Sequence, residues 1–156
     1  MNHQRRTLLK ASMATGTIAV ALGAGLLTPQ AVLAAWPKAA FDAKDVDEAL
    51  SALLGSKQSS TSSDIQVEAP DIAENGAVVS ITVKTSIPNA EQISILVPEN
   101  VSPLCASYIL SANTEGFVTG RIKMRKTSDV IAIVKAGGKL HKAKKSVKVT
   151  LGGCGG

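Results

Sequence analysis

Apolar and polar residues alternate with a period of two through much of the chain after residue 64. In the segment 77–86 (AVVSITVKTS), Val79, Ile81 and Val83 alternate with polar residues. Successive side chains of a β-strand point to opposite faces, so this pattern is typical of a strand with one buried face. A chain patterned in this way must pair its strands into sheets and bury the apolar face.

Seven segments of the chain carry strand patterns. They are residues 65–69, 77–86, 92–97, 103–112, 117–126, 129–136 and 140–151. The segment 129–136 (DVIAIVKA) is nearly continuously apolar, as expected of a central strand. Turn sequences such as ENG, SIPN and AGGK separate the strands, and no helical stretches intervene to support a parallel α/β sheet. We therefore predict an all-β fold, an immunoglobulin-like seven-strand antiparallel sandwich with one N-terminal helix and a flexible C-terminal GGCGG arm.

The one helical pattern precedes the strands, over residues 39–56 (AAFDAKDVDEALSALLGS). Its apolar stripe comprises Val46, Ala49, Leu50, Leu53 and Leu54. Asp42 is the predicted N-cap, and Phe41 and Val46 stand where a hydrophobic staple places them. Gly55 fits the end of the helix. The pattern therefore predicts a single amphipathic helix.

The N-terminal stretch has the features of an export signal. Arg5 and Arg6 precede two leucines and a lysine, and an uncharged, mostly small and apolar run spans residues 11–27. This resembles the twin-arginine signal, which exports folded proteins. We predict cleavage after Ala34, with Ala35 as the alternative, and delivery to a bacterial periplasm. An uncleaved membrane anchor is the competing interpretation, but the run is short for a spanning helix.

These patterns divide the chain into five segments. They are a signal peptide (1–34), an N-terminal helical segment (35–55), a polar linker (56–64), a sandwich (65–151) and a glycine-rich arm (152–156). The linker, SKQSSTSSD, offers no reason to pack. The segments after the signal are long enough for one modest core.

Charge is distributed unevenly along the part that follows the signal. Residues 35–120 carry four basic and eleven acidic side chains, whereas residues 121–156 carry ten basic side chains and one acid, Asp129. Export and the scarcity of aromatic residues for stacking argue against nucleic acid as a target. We expect the C-terminal lysines to attract small anions or an acidic protein face, or else to form a solvated strand face.

The chain is poor in groups for metal binding or conventional catalysis. After cleavage it retains one histidine, His141, which we expect on an exposed, solvated edge. A blue-copper site needs two histidines and a cysteine, and a zinc site also needs more ligands than are present. The GGK at 137–139 is a hairpin turn and not part of a phosphate-binding loop. We therefore expect no catalytic residue, no cofactor and no metal.

The reactive group that remains is Cys154, in the terminal sequence LGGCGG. The strand pattern ends at Leu151, so Cys154 lies up to roughly 10 Å beyond the sheet. An exposed thiolate is a nucleophile, and flanking glycines allow it to enter a narrow cleft of another protein. This arrangement suits a residue that holds an intermediate covalently while other enzymes act on it.

Three alternatives use the same terminus differently. A disulfide with Cys105 would pin the arm to the sandwich but would not explain four glycines, and Cys105 also suits a small buried residue. Cys154 would serve intermolecular disulfides in a purely structural protein. A terminal Gly-Gly that is activated as a thiocarboxylate is opposed by export and by the number of strands.

The sequence SVKVTLGGCGG (146–156) joins a strand of alternating apolar residues to the GGCGG motif. Together with the twin-arginine signal, the single helix and the sandwich, it resembles the SoxY family over essentially the whole chain. These are sulfur-carrier subunits of the periplasmic thiosulfate-oxidising (Sox) system. The GGCGG terminus is the specific part of the resemblance, and Cys105 departs from the family pattern.

The resemblance implies a role for each residue of the terminus. Cys154 would be the covalent attachment site, and Gly152, Gly153, Gly155 and Gly156 would form a swinging arm. It also implies a SoxZ-like subunit that is exported together with this chain. The c-type haem enzyme SoxAX would join thiosulfate oxidatively to the thiol, and the manganese-dependent hydrolase SoxB would release sulfate. In some organisms a sulfane dehydrogenase would be a further partner. The family member itself holds neither metal nor haem.

Overall fold

The structure, a computed structural model, describes residues 37–150. Two helices come first, α1 (Lys38–Asp42) and α2 (Val46–Leu54). The strands are β1 (Ser60–Thr61), β2 (Ile65–Glu68), β3 (Ile72–Ala73), β4 (Val79–Thr85), β5 (Ala90–Leu96), β6 (Leu104–Ile109), β7 (Phe117–Ile122), β8 (Ser128–Ala136) and β9 (Lys139–Val149). The predicted signal peptide with Arg5 and Arg6, the end of the sandwich at Leu151, and the arm with Cys154 lie outside the described residues.

The strands form two sheets. The larger has the order β1-β9-β8-β5-β6, and β3 also pairs with β9. The smaller has the order β2-β4-β7. Within both sheets the long strands are antiparallel, with register pairs such as Val134 opposite His141 and Val83 opposite Val118. Apolar side chains of the two sheets face each other, as in a β-sandwich.

The prediction of an all-β, immunoglobulin-like sandwich is confirmed, with a correction to the number and direction of the strands. Each of the seven predicted segments overlaps one strand of the structure. Two further strands, β1 and β3, pair in parallel with β9, through Ser60 opposite His141 and Ile72 opposite Lys148. Each is two residues long, too short to show a period. β1 also lies within the predicted linker, which therefore docks on the sheet instead of remaining unpacked.

The prediction of a single helix over 39–56 is wrong, because the chain forms two helices there. Asp42 is the last residue of α1, and Asp45 is the N-cap of α2, where its Oδ1 accepts a 2.7 Å hydrogen bond from the Glu48 backbone N–H. Gly55 ends α2 in the left-handed conformation (φ 73°), as expected. Among residues 37–150 no helix has the length and apolar character needed to cross a membrane.

Two apolar clusters cover the two faces of the larger sheet. One lies between the sheets and includes Ile81, Ile95 and Val147. The other lies between the larger sheet and the helices and includes Leu50 and Ile133. The larger sheet is therefore the middle layer of three. Burial on both faces explains why the β8 segment is almost continuously apolar, as its sequence predicted for a central strand.

Candidate functional site

The end of β9 leads to the predicted arm, and its last described residues are held by two other segments. The Thr127 hydroxyl accepts a 3.0 Å hydrogen bond from the Val149 N–H and lies 3.4 Å from the Val149 carbonyl oxygen. The Thr150 N–H donates to the Ala73 carbonyl at 3.0 Å. We call these four residues the arm base. It fixes the end of β9, which the predicted arm follows in the sequence.

Gly76 packs closely against the arm base. Its carbonyl accepts a 2.7 Å hydrogen bond from the Met124 N–H. A Cβ atom added at Gly76 would lie 2.9 Å from Val149 Cγ1 and would overlap the Met124 carbonyl oxygen. Only glycine therefore fits this position without a shift of the backbone.

The loop between β7 and β8, residues 123–127, lies beside the arm base because Thr127 belongs to both. Lys123, Arg125 and Lys126 are exposed, and in the described part of the chain none of them forms an ion pair. We call residues 123–127 the basic loop. Its last residue contacts the end of β9, and its three cationic side chains are exposed.

The basic loop is held in place through its backbone. The Asn100 side chain spans it, since Nδ2 donates to the Lys123 carbonyl at 2.7 Å and Oδ1 accepts from the Arg125 N–H at 3.0 Å. Met124 between them is only 2% exposed and packs in the core. The cationic side chains take no part in these contacts, so they are free to bind an external group.

Other lysines of the predicted basic segment differ, because acidic residues pair with them. Lys144 Nζ lies 2.9 Å from an Asp129 carboxylate oxygen, and Lys145 Nζ lies 2.5 Å from Asp71. The hydrogen bond and charge of Lys145 hold the pKa of Asp71 below its usual value. Among the described residues, the unpaired positive charge beside the arm base therefore comes from the basic loop and from the exposed Lys148, which precedes Val149.

Cys105 lies half-buried on β6, against the same asparagine that holds the basic loop. Its Sγ is 3.4 Å from Asn100 Nδ2 and 3.6 Å from the Pro103 carbonyl oxygen. Burial raises the pKa of the Cys105 thiol, and the hydrogen bond from Asn100 opposes this only in part. The thiol is therefore a weak nucleophile at neutral pH. Its predicted alternative pairing with Cys154 involves a residue outside the described part of the chain.

The expectation of an exposed His141 on an open edge is wrong. His141 is half-buried on β9, between Val134 of β8 and Ser60 of β1, so its strand is paired on both sides. Within residues 37–150, no group of three or more His, Cys, Asp or Glu residues is arranged to hold a metal ion.

The apolar side chains of the segment 92–97 are not available to a partner. Ile93, Ile95, Leu96 and Val97 are all fully buried. Asn100 is not among the residues predicted from the sequence, and it lies 23 residues before Lys123, the first residue of the loop it holds. No local pattern marks such a long-range contact.

Comparison with known proteins agrees with this architecture. The family model described as "Sulfur oxidation protein SoxY" matches residues 50–154, and the matched range includes Cys154. The solved structure of the sulfur carrier protein SoxY from Chlorobium limicola f thiosulfatophilum is similar, with a TM-score of 0.63 and 46% sequence identity. The match covers 73% of this chain and 99% of that chain. A search of curated proteins finds no match. From the family match over more than half of its length, and from the shared fold, we conclude that the chain belongs to the SoxY family of sulfur oxidation proteins.

Proposed function

We propose that this chain is a sulfur carrier that holds oxidation intermediates of thiosulfate covalently on Cys154. The observation that carries the proposal is the family match, which extends through residue 154, on a sandwich whose β9 strand ends at the base of a GGCGG arm. The chain itself is not an enzyme in this proposal. It presents its cargo to enzymes that bind the arm.

The chemistry requires only a thiolate from this chain. Oxidative coupling forms a bond between the Cys154 sulfur and the outer sulfur of thiosulfate, and the two electrons released pass to the c-type haem protein SoxAX. Hydrolysis by the manganese enzyme SoxB then adds water, releases sulfate and two protons, and leaves a persulfide anion on Cys154. A sulfane dehydrogenase, where present, oxidises the remaining sulfur. The arm is flexible and narrow because it has no side chains at Gly152, Gly153, Gly155 and Gly156.

The remaining parts of the proposal concern location and assembly. Arg5 and Arg6 would direct folded export to the periplasm by the twin-arginine route. A SoxZ-like subunit would form a complex with this chain, and SoxAX, SoxB and the dehydrogenase would contact it transiently. An alternative role, in which Cys154 forms intermolecular disulfides in a non-carrier protein, is an outcome of the test below.

The test combines mass spectrometry with two matched cysteine variants. Trypsin cleavage after Lys148 releases the peptide VTLGGCGG, which contains Cys154 alone. In protein from thiosulfate-grown cells we expect thiosulfonate, sulfonate or sulfane adducts on this peptide. Cys154→Ser should abolish thiosulfate oxidation, whereas Cys105→Ser should retain it, because Cys105 lies on β6 within the sandwich. Retained oxidation in Cys154→Ser, or only disulfide-linked species at Cys154, would refute the carrier role.

A further inference from the structure

The loop between β3 and β4 contains an asparagine that is directly followed by a glycine, Asn75 and Gly76. It is the one such pair in the whole sequence. Glycine has no Cβ, so its backbone nitrogen can approach the side chain of the preceding residue closely. The pair therefore places an electrophilic carboxamide next to an accessible nitrogen nucleophile.

The fold uses both residues of this pair. A Cβ atom at position 76 would overlap the Met124 carbonyl oxygen, so this position needs glycine. The Asn75 side chain closes the turn, since its Oδ1 accepts a 2.9 Å hydrogen bond from the Ala77 N–H. The reactive pair is therefore a consequence of the close packing beside Val149.

Neither the leaving group nor the attacking nitrogen of this pair is held by a hydrogen bond. Asn75 is exposed, and within residues 37–150 neither its Nδ2 nor the Gly76 N–H donates to an acceptor. The hydrogen-bonded ring that joins Asn75 Oδ1 to the Ala77 N–H contains both Asn75 Cγ and the Gly76 nitrogen. The bond from Ala77 also polarises the carboxamide carbonyl, which favours attack at Cγ.

We propose that Asn75 is a site of spontaneous deamidation in the folded protein, and that its isoaspartyl product loosens the arm base. The Gly76 nitrogen forms a bond to Asn75 Cγ, the bond from Cγ to Nδ2 breaks, and ammonia leaves with the proton of the Gly76 N–H. Water then opens the resulting cyclic imide, and the new carboxyl group releases its proton. Opening at Cγ gives aspartate, and opening at the backbone carbonyl gives isoaspartate.

The two products differ in their effect on the arm base. Aspartate keeps the length of the backbone and an oxygen that can accept from the Ala77 N–H. Isoaspartate adds one carbon to the backbone directly before Gly76. The Gly76 carbonyl accepts a 2.7 Å hydrogen bond from the Met124 N–H, and Val149 lies against the same glycine. The added carbon therefore displaces both contacts.

The other asparagines of the described residues lack the features of Asn75. Asn89 and Asn113 are also exposed, but an alanine and a threonine follow them, and each brings a Cβ next to the attacking nitrogen. The residue after Asn100 is a branched valine, and both polar atoms of the Asn100 side chain are hydrogen-bonded to the basic loop. We therefore expect deamidation at one asparagine of residues 37–150.

The test follows the full chain by mass spectrometry during incubation at neutral pH. Tryptic peptide 58–84 contains Asn75 as its one asparagine, and peptide 85–121 contains the other three of the described residues. We expect the mass gain of deamidation to grow in peptide 58–84, with labelling by an isoaspartate methyltransferase, while peptide 85–121 keeps its mass. The matched variant Asn75→Gln retains a carboxamide but requires a larger ring, so it should lose the gain.

Amide hydrogen exchange tests the effect on the arm base. In the purified isoaspartyl form we expect faster exchange at the Met124 and Val149 N–H groups than in fresh protein. The variant Asn75→Asp introduces the same charge without lengthening the backbone, so its exchange at these two groups should match that of fresh protein. The paired strands β4 and β7 should keep their exchange rates in all three forms.

Four results would overturn the proposal. Peptide 58–84 that keeps its mass in the folded chain but gains it in urea would show that the loop protects the amide. A gain of equal rate in peptide 85–121 would show that the following glycine does not select the site. A gain that persists in Asn75→Gln would place the reaction at Gln58 or Gln66. Equal exchange at Met124 and Val149 in the fresh and isoaspartyl forms would show that the arm base is unaffected.

Discussion

Substitution of Gly76 by alanine tests whether the arm base is rigid and closely packed. The added Cβ would lie 2.9 Å from Val149 Cγ1 and would overlap a backbone carbonyl, that of Met124. A backbone atom cannot rotate away as a flexible side-chain end can. The loop must therefore shift, and the shift acts on the 2.7 Å hydrogen bond from Met124 N–H to Gly76.

The expected cost follows from these two contacts. Forcing an extra carbon into a well-packed site costs about 1–3 kcal/mol. Loss of the Met124 hydrogen bond adds about 1 kcal/mol. We therefore expect Gly76→Ala to lower the free energy of unfolding by about 2–4 kcal/mol. The effect on amide hydrogen exchange should be concentrated at Met124 and Val149.

Urea unfolding followed by circular dichroism measures this change. Gly120→Ala is the matched control, because the nearest atom to its new Cβ is the Tyr108 hydroxyl oxygen at 3.2 Å, the mobile end of a side chain. We expect the control to stay within about 0.5 kcal/mol of the unmodified chain. If Gly76→Ala behaves like the control, the close contact at the arm base does not constrain the fold and the reasoning is refuted.

Two further predictions concern pH. Lys145 lowers the pKa of Asp71, so the pair stabilises the folded state above the pKa that Asp71 has in the unfolded chain, and this stability is lost as the pH falls through the folded pKa. In Lys145→Gln, an NMR titration should show the pKa of Asp71 return toward 3.8. An unchanged pKa would contradict the pairing. Burial raises the pKa of Cys105, because the folded state favours the neutral thiol. The stability that the neutral thiol contributes is therefore fully present below the unfolded pKa of about 8.5, and it is lost as the pH rises through the folded pKa. Unfolding measured from pH 7 to 10 should therefore show a smaller decline in Cys105→Ala, and identical slopes would count against this cause.

The sequence predicts the long strands well because burial of one face imposes a period of two. Val79, Ile81 and Val83 alternate in the sequence and are buried in the structure. The same signal fails for β1 and β3, since two residues show no period and their pairing depends on the distant strand β9. The N-cap prediction fails for a different reason. Asp42 and Asp45 are both suitable caps, and the glutamate three residues after Asp45 is the signal that favours it.

The candidate site was likewise predictable from the sequence only in part. Its charged residues are visible in the sequence, where Lys123, Arg125 and Lys126 stand without an intervening acid. The placement of the loop backbone beside the arm base depends on hydrogen bonds that Asn100 and Thr127 form with Lys123 and Val149, each more than twenty residues away in the sequence. Such contacts arise only when the sheets assemble, so they follow from the fold and not from a local motif.

The pairing of β9 on both sides has a mechanical consequence. When another protein holds the arm, the component of the pull that lies along β9 acts on the hydrogen bonds of this strand. β8 binds one edge of β9 from Lys139 to Val147, while β1 and β3 bind the other edge at its two ends. A force along the axis therefore loads these hydrogen bonds in shear and together, instead of unzipping them one at a time. The arm therefore follows a strand that resists tension through hydrogen bonds on both of its edges.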